Sequence, residues 1–178
     1  MKLPGNDAVS RIDTADQLRD MGWDEFTRDH PLGLICHTSD WQRFLESCFR
    51  HISGSCLVLA GAQGEIRAGL PLYEVRSPVI GRRLVSVPFA SLSDPLVSSP
   101  EEFRALAGKA LEIASSQEAV YLEIRTHRAG SLARDERFMT SSCYLTHYVR
   151  LEGRPDKLMK CFDRTCVRQR ISRAERSG

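Results

Sequence analysis

Between Cys56 and Ala114 the hydrophobic pattern changes period, and that change constrains the fold more than any other feature of the chain. Cys56-Leu-Val-Leu-Ala60 reads as a short apolar strand, Gly61-Ala-Gln-Gly64 as a turn and Glu65 to Val75 as a longer strand, so together they predict a hairpin. Arg83-Leu-Val-Ser-Val-Pro-Phe89 predicts a third strand after the loop Ser77-Pro-Val-Ile-Gly81. Pro88 belongs at its end, because proline has no N–H to give a central ladder. The period then becomes helical. Ser99 is an N-cap, Pro100 suits the first helical position, and Glu101 and Glu102 complement the dipole. Phe103, Leu106, Ala107, Ala110, Leu111 and Ala114 make one apolar stripe.

Two helices are expected before any strand, one over residues 14–29 begun by Thr14. The other is capped by Thr38 or Ser39 and carries Trp41, Phe44, Leu45 and Cys48 or Phe49 at helical spacing. After the capped helix, Val120 to Arg125 predicts a strand, then a short Arg/Ala-rich helical stretch, then a strand over Cys143 to Leu151. The resulting order is α, α, β, β, β, α, β, short α, β, α. A hairpin-led sheet with a helix between its third and fourth strands implies mixed pairing and a right-handed crossover.

The last segment, residues 154–178, carries eight Lys or Arg against three acids, a net +5 against the chain's formal charge of +2, so the remaining residues sum to −3. It predicts one helix of about six turns, with Lys157, Lys160, Arg164 and Arg168 on one stripe and Leu158, Phe162 and Cys166 on another. Arg173 and Arg176 then interrupt the apolar stripe. The expected division is a domain over 1–153 and a basic linking helix over 154–178. The body has no charge excess suited to nucleic acid; only the helix has such a footprint.

The length suits one domain with a real core. Six cysteines occur without Cys-x-x-Cys or a His at ligand spacing, so they read as reduced thiols, and no metal site is expected. No window approaches a membrane span and no signal peptide is legible, which makes the cytoplasm the expected location. No Walker loop, dinucleotide fingerprint or serine-nucleophile elbow is present.

Three stretches carry a family resemblance. They are His37-Thr-Ser-Asp-Trp41; Gly69-Leu-Pro-Leu-Tyr-Glu-Val-Arg-Ser77 continuing to Gly81-Arg-Arg-Leu-Val-Ser-Val-Pro-Phe89; and Arg168-Gln-Arg-Ile-Ser-Arg-Ala-Glu-Arg-Ser-Gly178. With the element order, they resemble the FemAB-like or Fem-type aminoacyltransferases, a branch of the GNAT acyltransferase fold. The resemblance implies an α/β (α+β) class: a GNAT-like mixed sheet flanked by helices, with a C-terminal basic helix leading toward a second GNAT-like domain that this chain does not include. It implies transfer of an acyl or aminoacyl group to an amine of a cell-envelope or polysaccharide precursor. Acyl-CoA or aminoacyl-tRNA would be the donor substrate, with no required cofactor. The expected chemistry is attack of a neutral amine on an activated carbonyl, driven by proximity and polarisation. As it stands, this chain is expected to be inactive.

The same resemblance places a donor pyrophosphate at a glycine-bearing loop before a helix. Here that loop is Ala90-Ser-Leu-Ser-Asp-Pro-Leu-Val-Ser-Ser99, which has no glycine, and Glu101 and Glu102 add repulsion at the helix end. Ser91, Ser93, Asp94, Glu123 and Arg125 are the candidate substrate contacts. Asp94, Glu123, His37, His127 and His147 are general-base candidates, and Tyr121 and Tyr148 are candidate phenol donors. Alternatively, Glu123 and Arg125 form a structural charge pair, and Ser99 with its glutamates forms an ordinary helix cap. Arg164, Arg168, Arg170 and Arg173 are candidate contacts for RNA or for a lipid-linked phosphate at the inner face of the membrane. Competing readings are a non-catalytic GNAT-fold binding module and a basic-helix nucleic-acid binder. Self-association through a face meant for the second domain is a further expectation.

Overall fold

The structure, a computed structural model, describes residues 9–141 and 154–177. The chain divides into two units, Met1–Met139 and Thr140–Gly178, and each is described by itself.

The first unit opens with a strand, β1 (Val9–Ile12), ahead of the expected helices. Four residues carry little periodic signal, and β1 exists because it pairs antiparallel with a later strand. Thr14 then caps α1 (Ala15–Asp20), its hydroxyl accepting from Gln17 N–H at 3.2 Å. The helix expected over 14–29 is two helices, because the chain turns at Gly22, whose φ of 80° falls in the left-handed region, before α2 (Trp23–Asp29). A single 3₁₀ turn at Ile35–His37 leads to α3 (Ser39–Cys48), whose cap is Thr38.

The hairpin is present as β2 (Ile52–Ala60) and β3 (Ile66–Ser77), followed by β4 (Gly81–Val85), α4 (Pro100–Ser116) and β5 (Tyr121–Glu123). The sheet runs β1-β2-β3-β4-β5, antiparallel throughout except for the parallel pair β4 and β5. The fold is thus mixed α/β, a five-stranded mixed sheet with helices on both faces. Pro88 lies beyond the end of β4, as its missing N–H requires.

Strand alternation assigns the two faces. Leu57, Leu59, Leu70, Leu72 and Leu84 meet Phe103, Leu106, Ala107 and Ala110 of α4 in one core. Phe103 and Leu106 are fully buried, each worth roughly 2 kcal/mol. On the opposite face Ile12, Leu18, Trp23, Cys56, Val58 and Leu96 form a second core, and Cys36, Leu45, Ile52, Tyr73, Val75 and Val87 a third.

One feature of β3 explains the loop that follows β4. β4 pairs with β3 only from Tyr73 to Ser77, and the chain returns to the sheet at Leu96, which exchanges both backbone hydrogen bonds with Gly69 at 2.9 Å. By the two-residue period, position 71 faces the same side as Gly69, at a place the chain has left. Pro71 stands there, so no orphaned N–H is created in a buried strand. The excursion from Ser86 to Pro95 runs outside the ladder between these two pairings.

Residues 126–141 form turns rather than the expected short helix; Leu132 and Ala133 N–H both reach Ala129 C=O, at 2.9 and 2.8 Å. The strand expected over Cys143 to Leu151 lies outside the described residues.

In the second unit the expected six-turn helix is broken. α5 (Pro155–Cys161) ends at Phe162, whose ψ of 145° is extended. Asp163 then starts a π turn, Arg164–Arg168, its carboxylate accepting from Thr165 and Cys166 N–H at 2.9 and 2.6 Å, and α6 (Gln169–Ser177) continues from it. An aspartate that caps downstream amides competes with helix propagation through its own position, and here the cap wins. The stripe expected from one continuous helix is therefore split in two.

Candidate functional site

The candidate residues converge where β4 and β5 part. The parallel pairing covers Arg83–Val85 against Tyr121–Glu123, and Ser86 N–H adds a last bond to Glu123 C=O at 2.9 Å. Beyond it the ladder changes character: Arg125 N–H donates to the Ser86 hydroxyl at 3.1 Å in place of a backbone carbonyl. The Arg125 guanidinium enters the fork, donating to Val87 C=O at 3.1 Å and Ala90 C=O at 2.6 Å, while its Nε holds Glu123 at 2.7 Å. Sequence spacing placed Glu123 and Arg125 on one face of a strand running to Arg125; β5 ends at Glu123, and the two side chains pair across that end. What spacing did not reveal is that Arg125 ties down the loop across the fork.

The loop is anchored from below by the 3₁₀ turn. His37, 2% exposed, donates from Nε2 to Asp94 C=O at 2.9 Å, and its Nδ1 accepts from Leu34 N–H at 3.0 Å. This pair of roles requires the neutral Nε2–H tautomer. Burial pushes the His37 pKa below its ordinary value, against the opposing pull of the Asp94 and Leu34 backbone bonds and the Asp94 charge. Cys36 Sγ reaches Leu92 C=O at 3.5 Å, and burial raises its thiol pKa to about 11, which keeps it an inert packing group at neutral pH.

Asp94 is buried, and its carboxylate accepts three backbone N–H groups, those of His127, Arg128 and Ala129, at 2.5, 3.0 and 3.0 Å. Those bonds hold the chain after β5 in its turn. The carboxylate is thereby a clamp between two loops, a role no local pattern announces. Ser93 is 2% exposed, and its hydroxyl has no partner among the described residues, whereas Ser91 is exposed at the loop crest. Two residues before Ser91, Phe89 is two-thirds exposed, packs tilted on Phe49 at 5.0 Å between centroids and has φ 62°, a left-handed conformation that costs a non-glycine residue about 1 kcal/mol or more. Tyr121 accepts from Arg83 at 3.4 Å. His147 and Tyr148 lie outside the described residues.

The N-terminus of α4 tests whether an acyl-CoA pyrophosphate would fit there. Ser99 Oγ accepts from Glu102 N–H at 3.2 Å, and Glu102 returns a carboxylate oxygen to Ser98 N–H at 2.7 Å while its other oxygen holds Arg67 at 3.2 Å. Glu101 accepts from its own amide, which together with Ser99 and Arg104 holds its pKa below the usual carboxylate range. Pro100 has no N–H to give. The amides and the dipole that would attract a phosphate are answered by the chain's own carboxylates, so the residues present do not fit that group.

In the second unit, Arg168 turns back to cap α5, donating to Phe162 C=O at 2.8 Å and Lys160 C=O at 3.1 Å. Arg164, Arg170 and Arg173 are exposed and make no side-chain bond among the described residues. Of the four arginines singled out in this segment, three keep guanidinium groups open to a phosphate.

A feature that sequence reasoning missed lies at the other end of the sheet. Arg50, His51, Arg76, Ser77 and Arg82 line an open cleft of about 530 Å³ beside the β3–β4 turn. Its signal was present as Arg50-His51 and as Arg76 and Arg82 flanking Ser77 to Gly81, but only strand pairing brings these together. No group of His, Cys, Asp or Glu among the described residues is arranged to hold a metal ion, and no described helix is long and apolar enough to cross a membrane.

No family model and no curated protein matches the chain. Solved structures with a related backbone course include a ribosomal-protein-alanine N-acetyltransferase from Brucella melitensis biovar Abortus 2308, 12% identical over 83% of this chain and 100% of that one, TM-score 0.48. A probable acetyltransferase is 15% identical over 79% and 99%, TM-score 0.47. The glucosamine-6-phosphate N-acetyltransferase from Arabidopsis thaliana is 13% identical over 78% and 99%, TM-score 0.42. Likeness at this level concerns the path of the backbone and assigns neither family nor activity; the fold class rests on the chain's own topology, a five-stranded mixed sheet closed by a parallel pair and flanked by helices.

Proposed function

We propose that this chain is the first GNAT-like domain of a FemAB-like acyl- or aminoacyltransferase acting on an amine of a cell-envelope or polysaccharide precursor, and that it positions acceptor or partner rather than donor. The observation that carries the second half is the self-capped N-terminus of α4, where Glu101 and Glu102 stand in the place of an anion. The first half is supported by the quoted resemblance. Two of its three stretches, those containing His37 and Val87 to Phe89, belong to one bonded assembly through Asp94 and Arg125.

On this reading the basic second unit leads to a second domain that holds the donor, and Arg164, Arg170 and Arg173 serve a phosphate of tRNA or of a lipid-linked precursor. The self-capped helix also favours a second reading, a GNAT-fold module that binds without catalysing. Calorimetric titration with acetyl-CoA, and acyl-transfer assays with this chain alone and joined to its following sequence, separate the outcomes. We expect no CoA binding by this chain and transfer only by the longer product. Saturable CoA binding or transfer by the chain alone would overturn the donor-free assignment, and an inactive longer product would leave the binding module.

A further inference from the structure

We propose that the β3–β4 hairpin end is a contact site for an anionic phospholipid surface. Three independent features meet there. The first is charge. Arg76 and Arg82 share one buried carboxylate, Glu74, at 2.6 and 2.7 Å, so two guanidinium groups are held side by side with one positive charge uncompensated. Arg50 lines the same cleft with no ion pair among the described residues, and His51 stands beside it. Glu74 engages one Nε–H of each guanidinium, and Arg82 Nη1 also donates to Gln117 C=O at 2.8 Å, so the remaining Nη N–H groups of the pair are available to phosphate oxygens.

The second feature is an apolar tip. Val79 is 93% and Ile80 52% exposed, at the crest of the turn whose base, Ser77 and Gly81, lines the cleft. Val120, 63% exposed, stands beside Gly81, its methyl 3.1 Å from the place a Cβ would take. Single exposed aliphatic residues are ordinary, but adjacent ones on a turn flanked by Arg76 and Arg82 combine the two signals that stable attachment to a charged bilayer needs.

The third feature is rigidity. Ser77 Oγ accepts from both Val79 and Ile80 N–H, at 3.3 and 3.2 Å, and Gly81 closes the turn at φ 88°. The tip is therefore presented already ordered, which lowers the entropic cost of insertion. A small soluble phosphate would use the arginines and leave the aliphatic crest idle; a bilayer uses both. The inference stands on the hairpin and is independent of the acyltransferase reading.

The test is co-sedimentation of the chain with vesicles of phosphatidylcholine and phosphatidylglycerol in equal parts, against phosphatidylcholine alone. Binding is expected only to the anionic vesicles, weakening with salt. Arg50→Gln is expected to weaken it about fivefold, one surface charge being worth about that factor, and Arg50→Lys to retain it. Val79→Asp with Ile80→Asp, both solvent-facing, is expected to abolish binding with the thermal midpoint unchanged. Arg164→Gln with Arg170→Gln and Arg173→Gln is expected to leave it intact, separating this site from the basic second unit. Equal binding to neutral vesicles, survival of binding in the double aspartate variant, loss in the triple glutamine variant, or full competition by soluble glycerol phosphate would each overturn the proposal.

Discussion

His37 Nε2 donates to the carbonyl oxygen of Asp94 across 2.9 Å, joining a 3₁₀ turn to a loop that follows the fourth strand. The two residues are 57 apart in sequence, and the same aspartate extends its carboxylate to three amides beyond β5. One imidazole and one aspartate thereby hold three loops at the fork of the sheet.

The imidazole makes this junction sensitive to acid. His37 must be neutral to accept from Leu34 N–H, and burial lowers its pKa from 6.5, as it does that of His30. In the unfolded chain both bind protons at their ordinary value, so the unfolded state takes up more protons as the pH falls below about 6.5. Stability is full above that pH and declines below it, until the folded-state pKa values are passed. Denaturant melts from neutral to mildly acid pH are expected to show this slope, and His37→Ala, which costs about 3 kcal/mol, to reduce it. A slope unchanged in that variant would sink the assignment.

Asp94→Asn replaces an acceptor of three bonds by an amide with one acceptor oxygen and two donors facing backbone N–H groups. A loss of about 2–3 kcal/mol is expected. Amide hydrogen exchange at His127 to Ala129 is expected to accelerate in a variant that remains folded; unchanged protection there would show that the clamp is dispensable.

Gly69→Ala tests close approach in the core. A Cβ at this position would lie 2.3 Å from the ring of Trp23, which is fully buried. The ring has no space to retreat, so overpacking of about 2–3 kcal/mol is expected. A urea midpoint equal to that of the parent would contradict this packing.

Glu118 follows α4 with φ 51° and is exposed, while Ala119 N–H closes the helix end onto Ala114 C=O at 2.9 Å. This is a left-handed cap that glycine adopts without strain. Glu118→Gly is expected to stabilise the chain by about 1 kcal/mol, or about 3 °C in Tm, by removing Cβ strain. A lower Tm would indicate that Glu118 contributes a contact worth more than that strain.

The elements legible in the chain were those with a long period or a local cap: the hairpin of β2 and β3, the Thr38 cap of α3, and α4 with Ser99, Pro100 and Glu102. β1 was not legible, since Val9 to Ile12 is too short to show alternation and is a strand only beside β2. The break at Asp163 was missed because a strongly helical composition outweighed one capping side chain. At the candidate site the sequence offered residue types without their long-range partners. Glu123 and Arg125, two positions apart, could be paired by spacing, whereas Asp94 and the amides of His127 to Ala129 could not.

Short-range physics therefore determined the helices, the hairpin, the glycine-free loop and the carboxylates at the start of α4, because caps, turns and apolar periods act within a few residues. Tertiary structure alone decided what those groups touch. The departure of β4 from β3 opens the gap beside Pro71, brings Asp94 to His37 and the chain after β5, and sends Arg125 into the fork, while strand pairing at the other end of the sheet sets Arg50, Arg76 and Arg82 around one cleft. Bonds between residues more than thirty positions apart form only once the sheet has fixed the separation of their backbones, and the sheet forms only when both of its faces are buried.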